Sequence, residues 1–290
     1  MKSKFSVSIE DSGQREIIDY DNSSIIRFSD GTIQINKFPT IKYLGGQLGQ
    51  NSALIKADIL DSDGIILLMQ IKNMLDNWFK GIKIDVRFNY LPYARYDRVM
   101  KEYDSFSLNV FANLINSLEF NKVLLVDPHS NVSELLLKNS DVIIDQLKAL
   151  QLSNVINTDN VYDYIVSPDF GAIKKATSIS EYYNIPLLIS LKKRDVSTGY
   201  TVFDKLLIDD SVDLTDKKLL IVDDICDGGA TFVNLAAGIK SQHNPKNIDL
   251  FVTHGLFSKG KNLNNIDNVY SFNDYSTSNN NDIHLYKRLI

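Results

Sequence analysis

Cysteine occurs once, at position 226, so no disulfide can close within the chain, and this scarcity fits a reducing compartment. No apolar run approaches the ~20 residues that a membrane-spanning helix needs, so no membrane partner is expected. Met1 to Glu10 lack the basic, apolar and small-residue order of a secretory signal, and the expected location is the cytoplasm. Positive charge is in short supply: 31 Lys and Arg stand against 36 Asp and Glu, a formal net charge of −5. A polynucleotide binder usually presents a basic face. Here the only compact basic run is Lys192-Lys193-Arg194, so no nucleic-acid partner is expected. A small anionic substrate, held by a few local cations with a metal ion, suits such a chain. Missing too are the P-loop signature GxxxxGK[ST], a GxGxxG fingerprint and any repeat at a solenoid period.

What is present is an ordinary globular composition, 44% hydrophobic and 23% charged over 290 residues, enough for two domains with a core each. Short β-rich runs alternate with helix-like stretches. Strands are expected at 82–91, 122–126, from 164, 186–190, 218–222 and 248–253, and helices at 107–118, 173–183 and 231–240. The strands are mostly unbroken Val/Leu/Ile runs, as expected where helices cover both faces of a parallel sheet. The expected fold class is α/β, with two mainly parallel sheets flanked by helices. The boundary is placed between 1–145 and 146–290, ahead of the polar stretch 152–163. The polar segment 274–282 reads as a surface loop.

In open parallel sheets, ligands bind at the carboxyl ends of the strands. Polar clusters follow the expected strands repeatedly: Tyr93 to Arg98, Asp127 to Ser130, Ser167 to Gly171, Lys192 to Arg194, and Asp223 to Thr231. The last is the most specific. Two carboxylates end a strand, a glycine-rich turn follows, and Thr231 opens a helix whose backbone N–H groups can cradle a phosphate. The carboxylates can meet ribose hydroxyls directly or through a divalent cation. An ordinary strand–turn–helix junction with a capping aspartate is the plain alternative. A phosphorelay receiver also carries an acidic pair after a strand, but the further acceptor Asp and Lys do not follow Asp224 here.

Asp223 to Thr231, DDICDGGAT, resembles the phosphoribosyl-pyrophosphate motif of type I phosphoribosyltransferases. Five further segments narrow the resemblance to the ribose-phosphate pyrophosphokinases: RFSDG (27–31), PYARYDR (92–98), VDPHS (126–130), SPDFGAIKKA (167–176) and THGLFS (253–258). They fall in family order over residues ~25 to 260. The resemblance implies two phosphoribosyltransferase-like domains, with ATP on the N-terminal side and ribose phosphate on the C-terminal side. It implies adenine contacts from Phe28 and Asp30, reaching into a neighbouring subunit, and ATP contacts from Arg95, Tyr96, Asp97 and His129. It implies Mg2+ near His129 and Asp169, and catalytic roles for Lys192 and Arg194. Ribose 5-phosphate would be held by Asp223, Asp224, Asp227, Gly228, Gly229, Ala230 and Thr231. A dimer-built homo-oligomer, commonly a hexamer, is also implied.

Several positions depart from the family pattern. The Glu after RFSDG is Thr32, the Gln after the adenine-side Arg is Tyr96, and DTGGT has become Asp227-Gly228-Gly229-Ala230-Thr231. Tyr96 reads equally as a surface aromatic or an adenine stacker. Cys226 reads as loop packing. Gly228 removes a hydroxyl and bulk beside the 5-phosphate, which could admit a substituted phosphate. ADP-ribose and free ribose 5-phosphate are therefore both carried as acceptors, with a slight lean to ADP-ribose. Two other classes stay open: a non-catalytic regulatory relative and a base phosphoribosyltransferase.

Overall fold

A computed structural model describes residues 3–11, 14–40, 52–194, 201–209 and 212–276. The chain divides into two compact units, Met1–Ile143 and Ile144–Ile290. No helix among the described residues is long and apolar enough to cross a membrane.

Unit 1 contains β1 (Lys4–Asp11), β2 (Gln14–Tyr20), β3 (Ile25–Arg27), β4 (Ile33–Ile35), β5 (Ser52–Asp58), α1 (Ser62–Trp78), β6 (Lys83–Tyr90), α2 (Ser107–Ser117), β7 (Lys122–Val126), α3 (Val132–Leu136) and β8 (Ser140–Ile144). Its main sheet runs β2-β1-β5-β6-β7-β8. β5, β6 and β7 are parallel, while β1 runs antiparallel to both its neighbours. α1 shows how the sequence builds the layer. Asp61 caps it by accepting from the Gly64 amide at 3.0 Å, and Ser3 in turn donates to Asp61 at 2.7 Å. Leu67, Leu68, Ile71 and Leu75 recur at helical spacing and are fully buried. Each contributes roughly 1.5–3 kcal/mol.

β3 and β4 form a separate two-stranded hairpin. Gln70 of α1 holds it with both ends of its amide, accepting from the Ile35 N–H and donating to the Ile33 carbonyl, each at 2.8 Å. Arg27 adds an ion pair with Asp63.

Unit 2 contains α4 (Gln146–Ser153), β9 (Tyr164–Ser167), α5 (Ile173–Tyr183), β10 (Leu187–Arg194), β11 (Thr201–Leu207), β12 (Lys218–Cys226), α6 (Ala230–Gln242), β13 (Asn247–Gly255) and β14 (Asn268–Asp274). The order is β11-β10-β9-β12-β13-β14, parallel throughout except for β11. β12 and β13 are buried along nearly their whole length, which explains their unalternated apolar composition. α6 packs Phe232, Leu235, Ala236 and Ile239 onto the sheet.

The polar stretch 152–163 is organised by its own asparagines. Asn154 closes α4 in the left-handed conformation, and Asn160 donates to the Val155 carbonyl at 2.8 Å. Tyr162 then enters the core and donates to Asp249 at 2.7 Å. Asp249 is buried, so its carboxyl is raised despite that bond and others from Asn268.

Three boundaries correct the sequence expectations. The strand expected at 186–190 runs on to Arg194, because β11 pairs with it as a hairpin. The basic run therefore lies within a strand rather than after one. β12 does not stop at Val222 but continues through both carboxylates to Cys226, supported by β13 as far as Gly255. The following helix starts at Ala230, one residue early, with Gly229 as its cap. The expected loop 274–282 begins on the last residue of β14, and its positions beyond 276 lie outside the described residues.

Candidate active site

In unit 2 the polar residues gather at the carboxyl end of the parallel sheet. The Asp223 carboxylate accepts from the Asp224 amide at 2.9 Å. Asp224 is buried, and Lys175 of α5 faces it at 3.5 Å. Burial, then the charge of Asp224, then that of Asp169, push the Asp223 carboxyl well above the ordinary range. Asp169 folds its own loop, accepting from the Gly171 amide at 3.0 Å and the Ala172 amide at 3.2 Å. Asp223 is thus held against the charge of two further carboxylates. An oxygen-only donor set of this kind suits a hard divalent cation, and Mg2+ is commonly held by one or two carboxylates plus phosphate and water. Among the described residues no group of three or more candidate ligands is assembled for a metal ion.

The turn after β12 is built for backbone approach. Gly229 has φ +74, and a Cβ there would meet Leu263 Cδ2 at 2.4 Å. Glycine is therefore required on two counts. Gly228 differs: its nearest neighbour is the flexible Lys259 side chain, 3.3 Å from where a Cβ would sit. Ala230 and Thr231 open α6 and are exposed, while Gly229 accepts from the amides of Phe232 and Val233. Asp227 and Gly228 are half-buried. The turn therefore ends at a helix N-terminus, where free N–H groups favour an anion. Cys226 is buried beneath it. Burial, aided by Asp223 and Asp227, pushes its thiol up to about 12, so it is packing rather than a nucleophile.

Lys192 and Arg194 reach this same sheet end along the backbone. Ile189 pairs with Ser167 of β9, and Ile221 pairs with Val166 of the same strand. β10 and β12 thus stand either side of β9, roughly 10 Å apart at two strand spacings. Lys192 lies three residues past Ile189, and Asp223 two past Ile221. A register shift between Leu191 and Lys192 bends β10 where the basic run begins.

In unit 1, two loops meet. Asp97 is buried and accepts from Arg98 Nε at 3.0 Å. Burial would raise its carboxyl, but Ser130, Arg98 and the charge of His129 bring it below the ordinary range. The PYARYDR loop therefore lies near the VDPHS loop at Asp97, and His129 is half-buried. Arg95 and Tyr96 stay exposed on the outer side of that loop, with Tyr96 62% accessible. The Tyr96 backbone is fixed at both ends, donating to Tyr93 at 2.8 Å and accepting from Leu108 at 3.2 Å. At the β3–β4 hairpin tip, Phe28 is half-exposed. Asp30 accepts from the Thr32 hydroxyl at 2.7 Å and the Thr32 amide at 3.0 Å, which lower its carboxyl. The Thr32 departure is thus a local clamp on Asp30.

Lys175, Leu263 and Lys259 were not singled out from the sequence. Lys175 occupies the basic position of the SPDxGGVxRA pattern, a signal that was available. Leu263 and Lys259 come from the loop after β13 and carried no such signal.

Residues 142–284 match the family model described as phosphoribosyl transferase domain. The chain is 30% identical over 243 residues to a ribose-phosphate pyrophosphokinase of Thermosipho africanus, covering 81% of this chain and 71% of the relative. A ribose-phosphate pyrophosphokinase of Clostridium tetani is 24% identical over 254 residues, covering 85% and 74%. One of Mycoplasma genitalium is 31% identical over 172 residues, and there the match covers 58% of this chain and about half, 49%, of the relative. Among solved structures, phosphoribosylpyrophosphate synthetase of Mycobacterium smegmatis shares the fold with a TM-score of 0.65 at 17% identity, covering 85% and 78%. The chain belongs to the ribose-phosphate pyrophosphokinase family.

Proposed function

We propose that this protein transfers the β,γ-pyrophosphoryl group of ATP to the anomeric hydroxyl of a ribose 5-phosphate unit and releases AMP. The observation that carries the reading is the sheet end of unit 2, where an acidic strand terminus, a glycine turn and a helix start adjoin a basic strand two positions away. Asp223 and Asp224 would take the ribose hydroxyls, and the 227–231 turn the 5-phosphate. The anomeric oxygen attacks the β-phosphorus in line, the Pβ–O bond to AMP breaks, and the hydroxyl proton leaves to solvent. Such transfer asks the protein mainly for positioning and charge stabilisation. Lys192 and Arg194 would stabilise charge on the transferred group and leaving oxygen. Mg2+ would neutralise phosphate charge when bound, with Asp169 in unit 2 and His129 in unit 1 each a candidate to hold it. Phe28, Asp30, Arg95 and Tyr96 would hold ATP, with Asp97 positioning the loop that carries Arg95. A cytoplasmic homo-oligomer belongs to the same reading.

One observation favours ADP-ribose as an acceptor alongside ribose 5-phosphate. The space beside Gly228 is bounded by a movable lysine chain rather than by backbone. A phosphate bearing a further substituent can displace that chain. Incubating the protein with ATP and each acceptor separately, and reading AMP, tests both levels. AMP formed with either acceptor supports the transfer, and activity on ribose 5-phosphate alone removes the ADP-ribose reading. A regulatory relative would release no acceptor-dependent AMP. A base phosphoribosyltransferase would instead release pyrophosphate from phosphoribosyl pyrophosphate and a base.

A further inference from the structure

The loop that follows β13 is stitched to the phosphate turn. Leu256 and Phe257 donate their amides to the Cys226 carbonyl at 2.8 and 3.2 Å, and Ser258 donates to the Asp227 carbonyl at 3.2 Å. Its far end is held by a largely buried ion pair between Lys261 and Asp274. Phe257 and Gly260 take positive φ, turning the chain back over the turn. Between these anchors stands Lys259. Its methylenes lie along Gly228, with Cδ, Cε and Cγ at 3.3, 3.5 and 3.6 Å from a Cβ placed there. The side chain is otherwise exposed, and no described carboxylate pairs with its ammonium.

A cation is thus fixed at its root, exposed at its tip, and laid against Gly228, the turn glycine that Leu263 does not cover. We propose that Lys259 is a specificity-determining residue whose ammonium contacts the phosphate of the acceptor, supplying from the neighbouring loop the contact that Gly228 cannot make. The inference rests on the reading that the 227–231 turn holds that phosphate. An ammonium is a point charge on a flexible stem and tolerates phosphates of different substitution. The same contact therefore serves ribose 5-phosphate and a ribose carrying a 5-diphosphate linkage.

The test is calorimetric titration of wild type and Lys259→Met, without ATP, with ribose 5-phosphate, ADP-ribose and inorganic phosphate in separate arms. Loss of a charge-assisted contact weakens binding roughly 10- to 100-fold. Lys259→Met is expected to lose affinity to that extent for at least one ribose ligand while its affinity for ATP changes less than about twofold. Adding Gly228→Thr to Lys259→Met is expected to recover part of the loss. Unchanged affinity of Lys259→Met for every ribose ligand overturns the inference, as does an equal loss for ATP. Because turnover is not read, failures separate. Wild type that binds ribose phosphate but makes no AMP defeats the transfer reading alone, whereas wild type that binds none of the phosphates defeats both.

Discussion

The backbone amide of Asp224 donates to the side chain of Asp223 at the end of β12, which favours the ionised form of Asp223 while the charge of Asp224 opposes it. Burial with Asp224 and Asp169 alongside is costly to the ionised form of Asp223. Its folded-state pKa lies above the ordinary 3.8, so above that pH the native protein holds more protons than the unfolded chain. Stability attributable to this group therefore falls as pH rises from about 4 through the elevated value. Asp223→Asn is expected to raise the melting temperature at pH 7 by roughly 2–4 °C. It should also flatten the fall that begins near pH 4 while weakening acceptor binding. Melting curves across that fall check this, and a variant less stable than wild type throughout would contradict it.

Gly228 and Gly229 are adjacent but not equivalent. Gly229→Ala meets both a left-handed backbone and the Leu263 side chain, and is expected to cost about 2–4 kcal/mol. Gly228→Ala meets only the Lys259 chain and is expected to stay within about 0.5 kcal/mol. Urea unfolding midpoints of the two variants give the comparison. Combining Leu263→Ala with Gly229→Ala should recover the part due to crowding.

The Thr32 hydroxyl holds Asp30 at the hairpin tip. Thr32→Val keeps the shape and removes that donor, leaving the backbone amide in place. The Asp30 carboxyl is expected to rise toward its ordinary range in an NMR titration. KM for ATP should increase about 3- to 10-fold, with KM for the acceptor unchanged.

Lys192→Ala is expected to lower turnover at least ~100-fold, on the scale of losing one preorganised donor. Substrate dissociation constants should change far less. Single-turnover kinetics separate the two, and near-normal turnover would remove Lys192 from its role.

Much of the architecture was legible because β-rich apolar segments of strand length stand out, as unbroken Val/Leu/Ile runs in β7 and β12, as shorter apolar stretches in β9 and β13, and as apolar alternation in β6. The ends were not legible where a neighbouring strand decides them. β12 runs through two aspartates because β13 supplies its hydrogen bonds, and β10 takes in a basic run because β11 folds back on it. Local propensity contains neither fact. The same division holds for the site. Residues within contiguous motifs, such as Asp223 to Thr231, could be read directly. Lys259 and Leu263 could not, because their relation to Gly228 and Gly229 exists only once β13 lies beside β12. Asp97 was readable as a motif residue, but its burial against Ser130 and His129 depended on two loops meeting.

The route of the phosphorus atoms decides the chemistry. ATP labelled at the β-phosphorus, incubated with wild-type protein, a divalent cation and either ribose acceptor, is expected to pass its label to an acid-labile 1-diphosphate ester, with one AMP released for each ester formed. Label retained in ADP, or AMP appearing equally without any acceptor, would contradict pyrophosphoryl transfer by this protein.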